Sequence, residues 1–340
     1  MKKIGKPFDP RNLGRDSEWV KNIASEQELL SDKMNQYCTP VTVCPVCDSG
    51  NRQVFTVVYD YNYYECLGCG HVYCGQILDS SLLQGLYDGE SDNKTQQNKI
   101  YLDPGVFEKR VESIAREKVE FISQATHNHI PKTRPVWVDI GCGAGEMLYS
   151  ARKKGWEVRG IESDMEEVAF VRGLGIDVDT AYLNKENCKA LLSGVSMVSA
   201  INVLEHIADP VGFLKMISQA TDELVVAFEV PRHPSLSSLS SKLFPRIAYR
   251  HIYPPDHLHI FTDSSIALLL KEAGLSMVGS WSFGQDAFNF FQAAGVASEA
   301  HDNEFWNKIL DMCPAFQEVV DHNNLSDSIL VVAKKCAESY

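Results

Sequence analysis

The chain has 340 residues, 44% of them hydrophobic, with 45 acidic against 32 basic residues and a formal charge of −13. That length can bury one large core and hold a small companion module. The acidic balance repels a phosphate backbone and makes nucleic acid a poor partner. The basic start Met-Lys-Lys-Ile-Gly-Lys-Pro leads into no apolar core, so it does not read as a secretory signal, and no apolar run approaches the roughly 20 residues of a membrane span. A cytoplasmic setting is the expectation, and there the crowding of six cysteines between Cys38 and Cys74 points to a metal before disulfides.

Residues 1–40 carry many polar side chains and read as a surface arm. Within it, Ser17 to Met34 can form a helix with Trp19, Ile23, Leu29 and Leu30 on a loose apolar face. Residues 41–76 hold two knuckles, Cys44-Pro-Val-Cys47 and Cys66-Leu-Gly-Cys69, with short strands between them. Such spacing suits a four-cysteine zinc ribbon whose tetrahedral positions are all filled by sulfur, which makes the zinc structural. A segment with few aliphatics needs that staple to fold. Residues 77–104 are a connector with a polar centre, and an amphipathic helix is expected from Pro104 to about Ala125, packed on the edge of the sheet that follows.

From Pro135 strands and helices alternate, which predicts a parallel sheet with helices on both faces. Strands are expected at 135–140, 156–161, near 176–178, at 195–201, 223–230, 275–283 and 328–333. The first runs into Asp139-Ile-Gly141-Cys142-Gly143-Ala-Gly145, a turn where glycines let a ligand approach the backbone, ahead of a helix whose free N–H groups face a polar ligand. Glu162 ends the second strand, where nucleotide-binding units place the acid that grips ribose hydroxyls. Between strands five and six lies an insertion, 231–262, with the basic residues Arg232, His233, Lys242, Arg246, Arg250 and His251, as an anionic acceptor would favour.

The Asp-x-Gly-x-Gly-x-Gly turn resembles motif I of the class I S-adenosylmethionine-dependent methyltransferases. Asn202-Val-Leu-Glu205-His206-Ile-Ala-Asp209-Pro210 is similar to the family's motif IV. The resemblance implies a Rossmann-like α/β fold with a seven-stranded sheet over about 105–340, its last strand antiparallel. It implies that Asp139 organises the turn near the methionine amine and that Gly141, Cys142, Gly143 and Gly145 form the cradle. Glu162 would hold the ribose diol with Ser163 beside it, and the backbone at Asn202 and Val203 would face the methionine.

Tyr253-Pro-Pro-Asp256-His257-Leu-His259-Ile-Phe261-Thr262 is similar to a His-x-x-x-Phe-Ser/Thr element of the small-molecule branch. Zinc-ribbon sugar C-methyltransferases carry a comparable Tyr…Glu-His. Here Asp256 replaces Glu, and Pro-Pro lengthens the spacing. A neutral imidazole can take a proton from an acceptor hydroxyl near pH 7, with a carboxylate fixing its tautomer. His257 is therefore the expected base, supported by Asp256 and Tyr253, with His259 as a second candidate. His206 is either packed or a gate beside the methyl group. The reading favoured is O-methylation of a sugar, nucleotide-sugar or glycan precursor. C-methylation of a deoxysugar or natural product, RNA base methylation and a non-catalytic binding protein are its alternatives.

Overall fold

The computed structural model describes residues 1–6, 15–86, 100–130, 135–221, 224–301 and 303–336. The polar centre expected in the connector, 89–98, lies outside the described residues.

The first strand, β1 (Lys2–Ile4), precedes the helix Ser17–Asn35. Asp16 caps that helix by accepting from the Trp19 N–H at 2.8 Å. Its buried face runs through Val20, Ile23, Ala24, Gln27, Leu30 and Met34. This segment is not the surface arm expected from its composition. Gln27 and Ser31 on this helix are fully buried, and each donates to the Pro254 carbonyl, at 2.7 and 2.6 Å.

Next come β2 (Cys38–Pro40), β3 (Arg52–Val58), β4 (Tyr61–Cys66), β5 (Val72–Cys74) and β6 (Gln76–Leu78). β3, β4 and β5 form an antiparallel meander that carries both cysteine knuckles, and β2 pairs with β6. The amphipathic helix runs from Pro104 to Thr126, with a π-helical turn at Val111–Ala115.

The large sheet is built from β7 (Val136–Ile140), β8 (Glu157–Glu162), β9 (Asp177–Thr180), β10 (Met197–Ile201) and β11 (Val225–Pro231). β12 (His259–Ile260) belongs elsewhere, and β13 (Leu275–Phe283) and β14 (Ser328–Lys335) complete the large sheet. Its order is β1-β13-β14-β11-β10-β7-β8-β9, with β14 antiparallel to both neighbours. β11 is buried along its whole length, as a strand covered on both faces must be. The sheet has eight strands rather than the expected seven. The extra one is β1, whose three residues pair parallel to β13 at the far edge. Three residues bounded by polar chain carry too little periodicity to read as a strand.

β12 joins β5, so the ribbon's meander continues into the insertion as one four-stranded sheet. The chain leaves β7 toward β8 and β9 on one side and returns to β10 on the other. That reversal opens a crevice beyond the carboxyl ends of β7 and β10, where open α/β sheets bind ligands. No helix among the described residues is long and apolar enough to cross a membrane.

Candidate active site

The glycine turn sits in that crevice. Gly141, Gly143 and Gly145 all have positive φ (61°, 53° and 82°), which only glycine adopts cheaply. A Cβ on Gly141 would come within 2.9 Å of Val203, so the turn and the chain after β10 pack without room for a side chain. Gly145 serves the turn rather than the cavity: its missing Cβ makes way for Val171. Asp139 is buried under the turn, bonded to the Ser199 hydroxyl, which in turn accepts from Trp137 Nε1 at 2.6 Å. Burial pushes the Asp139 carboxyl up to about 8.

Glu162 closes the cradle from β8. Its Oε2 accepts from the Gly143 N–H at 3.0 Å, and its Oε1 from those of Ser163 and Asp164 at 2.7 and 3.0 Å. Asp164 caps the following helix through the N–H groups of Glu166 and Glu167. Asn202 adopts a left-handed backbone (φ 55°), and its N–H donates to the Glu229 carbonyl at 3.0 Å. Strain of this kind is held only where the surroundings over-determine it.

Two adjoining cavities fill the crevice. The smaller, about 150 Å³, is lined by Asp139, Gly141, Cys142, Gly143, Glu146 and neighbours. The larger, about 460 Å³, runs from Glu162, Ser163, Asn202 and Val203 to Tyr253, Asp256 and His257. Asn202, Tyr101, Arg110, Ile114 and Lys118 line both. A volume of this size takes a small molecule beside a cofactor.

Three histidines line the larger cavity, His206, His251 and His257, and the rings of His206 and His257 stand edge-to-face at 4.7 Å. His206 Nδ1 lies 3.0 Å from the Asp256 carbonyl, and His257 Nδ1 lies 3.0 Å from the His251 carbonyl. A carbonyl can only accept, so each ring carries its proton on Nδ1 and keeps its lone pair on Nε2. Burial brings His206 down to about 4 and His257 well below the usual histidine range, so both are neutral at pH 7. The Tyr253 hydroxyl and Glu205 Oε2 are buried in the same region without a protein partner. Glu205, pushed up to about 8 by burial, offers an oxygen within 4.8 Å of nitrogens of His206 and His257.

Three expectations change here. The Asp256 carboxylate does not hold His257: its Oδ2 accepts from Gln27 Nε2 at 3.0 Å, and the His251 carbonyl fixes the ring instead. His259 lies outside the cavity, with Nε2 on the Ile207 carbonyl at 2.8 Å and Nδ1 3.1 Å from His71 of the ribbon. Neighbouring residues pin the chain at both points, because the Leu258 N–H donates to the Glu205 carbonyl and the Cys74 N–H donates to the Leu258 carbonyl. Of the six basic residues in the insertion, only Arg250 and His251 line the cavity. Arg232 is buried in a two-pronged ion pair with Asp263, and exposed Arg246 pairs with Glu28. Sequence reasoning missed Lys6, Arg15, Tyr101 and Gln285, which also line the cavity. Nothing local marks them, because the fold alone brings those segments to the crevice.

At the ribbon, the Cys44 and Cys69 sulfurs lie 3.7 Å apart and those of Cys47 and Cys66 3.5 Å apart, all four within 4.8 Å of one another. A tetrahedral zinc with Zn–S of about 2.3 Å sets its sulfurs roughly 3.8 Å apart, so the four fit that ion.

The methyltransferase domain family profile matches residues 107–279. Ubiquinone biosynthesis O-methyltransferases of Burkholderia pseudomallei and Burkholderia mallei are 28% identical over 160 residues, covering 45% of this chain and 68% of theirs. A SAM-dependent methyltransferase from Archaeoglobus fulgidus matches at 19% identity and a TM-score of 0.43, over 68% of this chain and 98% of its own. The plantazolicin methyltransferase BpumL, in complex with a monoazolic desmethylPZN analog and SAH, matches at 16% identity and 0.48, over 75% and 94%. With a glycine turn at the switch point, an acid ending the next strand and half the chain matched by one family, the chain belongs to the class I S-adenosylmethionine-dependent methyltransferases.

Proposed function

We propose that the chain moves a methyl group from S-adenosylmethionine to a hydroxyl of a small acceptor, a sugar, nucleotide-sugar or glycan precursor, bound in the 460 Å³ cavity. The observation that carries this reading is the continuity of that cavity from Glu162 and Asn202 to two neutral imidazoles, of which His257 has its proton fixed on Nδ1 and its lone pair on Nε2. The O-methyl transfer named for the Burkholderia relatives supports oxygen as the receiving atom.

In this reading Glu162 accepts from the ribose diol, with Ser163 at its side. Asp139, Gly141, Cys142 and Gly143 line the methionine end, opposite Asn202 and Val203. The sulfonium supplies an activated methyl group and a neutral leaving group. Positioning then does most of the work, and a weak nucleophile needs a base. The acceptor oxygen attacks the methyl carbon in line as the carbon–sulfur bond breaks, and its proton passes to His257 Nε2. Tyr253 donates its free hydroxyl to the acceptor, while His206 packs against His257 and keeps water from the methyl group. Zn²⁺ on Cys44, Cys47, Cys66 and Cys69 is structural, since its four positions are filled by sulfur.

A second reading rests on the Glu205–His206–His257 cluster, whose ligand atoms lie close enough together to hold a divalent cation that polarises the acceptor oxygen. The test of both is S-adenosylhomocysteine release from S-adenosylmethionine with a panel of sugars and nucleotide-sugars, on protein stripped to one zinc per chain. Turnover with one of them supports the base reading, and turnover that returns only with added metal supports the second. Cofactor binding without turnover on any hydroxyl of the panel would remove the sugar acceptor.

A further inference from the structure

We propose that the acceptor is an anion, and that its carboxylate or phosphate group is bound by Lys6 and Arg15, two cations that the N-terminal segment delivers to the larger cavity. This deepens the reading above and rests on that cavity being the acceptor site.

Five cations line the cavity: Lys6, Arg15, Arg110, Lys118 and Arg250. Three are matched by carboxylates: Arg110 by Glu146, Lys118 by Glu229 at 2.6 Å, and Arg250 by Asp327 at 3.2 Å. Lys6 and Arg15 have no carboxylate within 4 Å among the described residues. Lys6 is only 6% exposed, and its ammonium reaches nothing better than the Ile114 carbonyl at 3.4 Å. Arg15 donates Nη1 to the Gln285 amide oxygen at 3.2 Å and Nη2 to the Tyr101 hydroxyl at 2.8 Å, both neutral partners. Its Nε is buried with no partner.

The cavity's own acids do not neutralise these two. Glu229 belongs to Lys118, and Glu162 is engaged by three backbone N–H groups. Glu205 is driven to the neutral form by burial, up to about 8, and Asp256 accepts from Gln27 Nε2 at 3.0 Å and makes no ion pair with either cation. Lys6 is lowered to about 8 by burial and still carries its charge at neutral pH. A buried cation left unpaired is costly, and a bound carboxylate or phosphate would supply the missing partner through charge-assisted hydrogen bonds. Lys6 and Arg15 line the larger cavity and not the smaller one that holds the glycine turn, so they would hold the acceptor by its charged end and leave a hydroxyl elsewhere on it to reach His257.

The test uses the full chain saturated with S-adenosylhomocysteine, titrated with inorganic phosphate and, separately, with acetate at constant ionic strength set by chloride. Trp19, whose ring lies 5.5 Å from the Arg15 guanidinium, reports binding by fluorescence. Saturable binding of either probe is expected, and the stronger of the two identifies a phosphoryl or a carboxylate acceptor. Lys6→Met and Arg15→Gln should each weaken it by about tenfold or more, with Arg15→Lys closer to wild type and S-adenosylhomocysteine affinity within about twofold. No binding of either anion to the loaded protein overturns the proposal, as does equal binding by both charge-removing variants. A matching fall in S-adenosylhomocysteine affinity also overturns it, by giving the cations to the cofactor's own carboxylate. Protein that binds no S-adenosylhomocysteine at all would instead refute the methyltransferase reading of the cavity.

Discussion

Glu162 is the residue on which cofactor affinity should turn. Its carboxylate bonds three backbone N–H groups and still lines the cavity, so truncation would loosen the glycine turn and remove the acceptor for the ribose diol. Hydrogen bonds to charged groups contribute about 1.5–3 kcal/mol, so Glu162→Ala should weaken S-adenosylhomocysteine binding roughly 10- to 100-fold by titration calorimetry. Unchanged affinity would remove its assigned role. For His257→Ala the expectation is the reverse pattern: cofactor affinity kept, turnover down by about 10²- to 10⁴-fold, as loss of a general base entails. Because burial keeps His257 neutral well below pH 6.5, wild-type turnover should not fall off between pH 7 and 6 through loss of that base. Wild-type activity in the variant would eliminate His257 as the base. Asp139, the glycines, Glu162 and Asn202 were legible because each sits at a fixed offset from a strand end. The partners of His257 were not. A backbone carbonyl from His251 holds it, and no side-chain pattern encodes a carbonyl.

At the scale of the element, the ribbon is tied to the segment that carries His257 rather than appended to it. β5 pairs with β12 through His259↔Tyr73 and Ile260↔Val72, and the Tyr63 hydroxyl donates to the His257 carbonyl at 2.7 Å. The Cys69 carbonyl accepts from Thr262 and Ser264 at 3.1 and 2.6 Å. A ribbon that loses its metal should therefore disturb the acceptor side of the cavity as well as its own fold. Cys44→Ser, or chelation, should lower the melting temperature and reduce turnover more than it reduces S-adenosylhomocysteine affinity, because the glycine turn lies on the other sheet. Elemental analysis finding no zinc in the wild type would refute the staple itself. The two knuckles could be read from spacing alone. Their docking could not, since it depends on a two-residue strand, far along the chain from β5, that gains its partner only when the insertion folds back. The burial of the helix Ser17–Asn35 is hidden in the sequence for a related reason: the partner of its polar pair Gln27 and Ser31 is the Pro254 carbonyl, still more distant in the chain.

Over the whole molecule, the parallel sheet and the places of its strands followed from alternation, while the charge state of the interior did not, because it depends on what each ionisable group is buried against. That interior makes stability depend on pH in two opposite ways. His71 and His257 are held well below the usual histidine range and His206 and His259 at about 4, all by burial first. Below about pH 6.5 the unfolded chain takes up protons that these folded imidazoles refuse, so stability falls as pH falls toward 4. Asp139 and Glu205 are raised to about 8, again by burial. From about pH 4 upward the folded chain keeps protons there that the unfolded chain has released, so their contribution is lost as pH rises toward 8. Between pH 6.5 and 8 the histidines no longer oppose this loss, and each of the two acids costs about 1.4 kcal/mol per pH unit at most. The ligand-free protein should therefore be most stable near pH 6 to 6.5 and melt at lower temperature by pH 8. Thermal unfolding across that range is the measurement, and the alkaline side is the cleaner one because acid also strips thiolates from a zinc site. Glu205→Gln keeps the shape and removes one titrating proton, so it should make the alkaline fall shallower. A wild-type melting temperature that stays level or climbs from pH 6.5 to 8 would mean that these carboxyls are ionised in the folded state, and that Glu205 faces His206 and His257 as an anion.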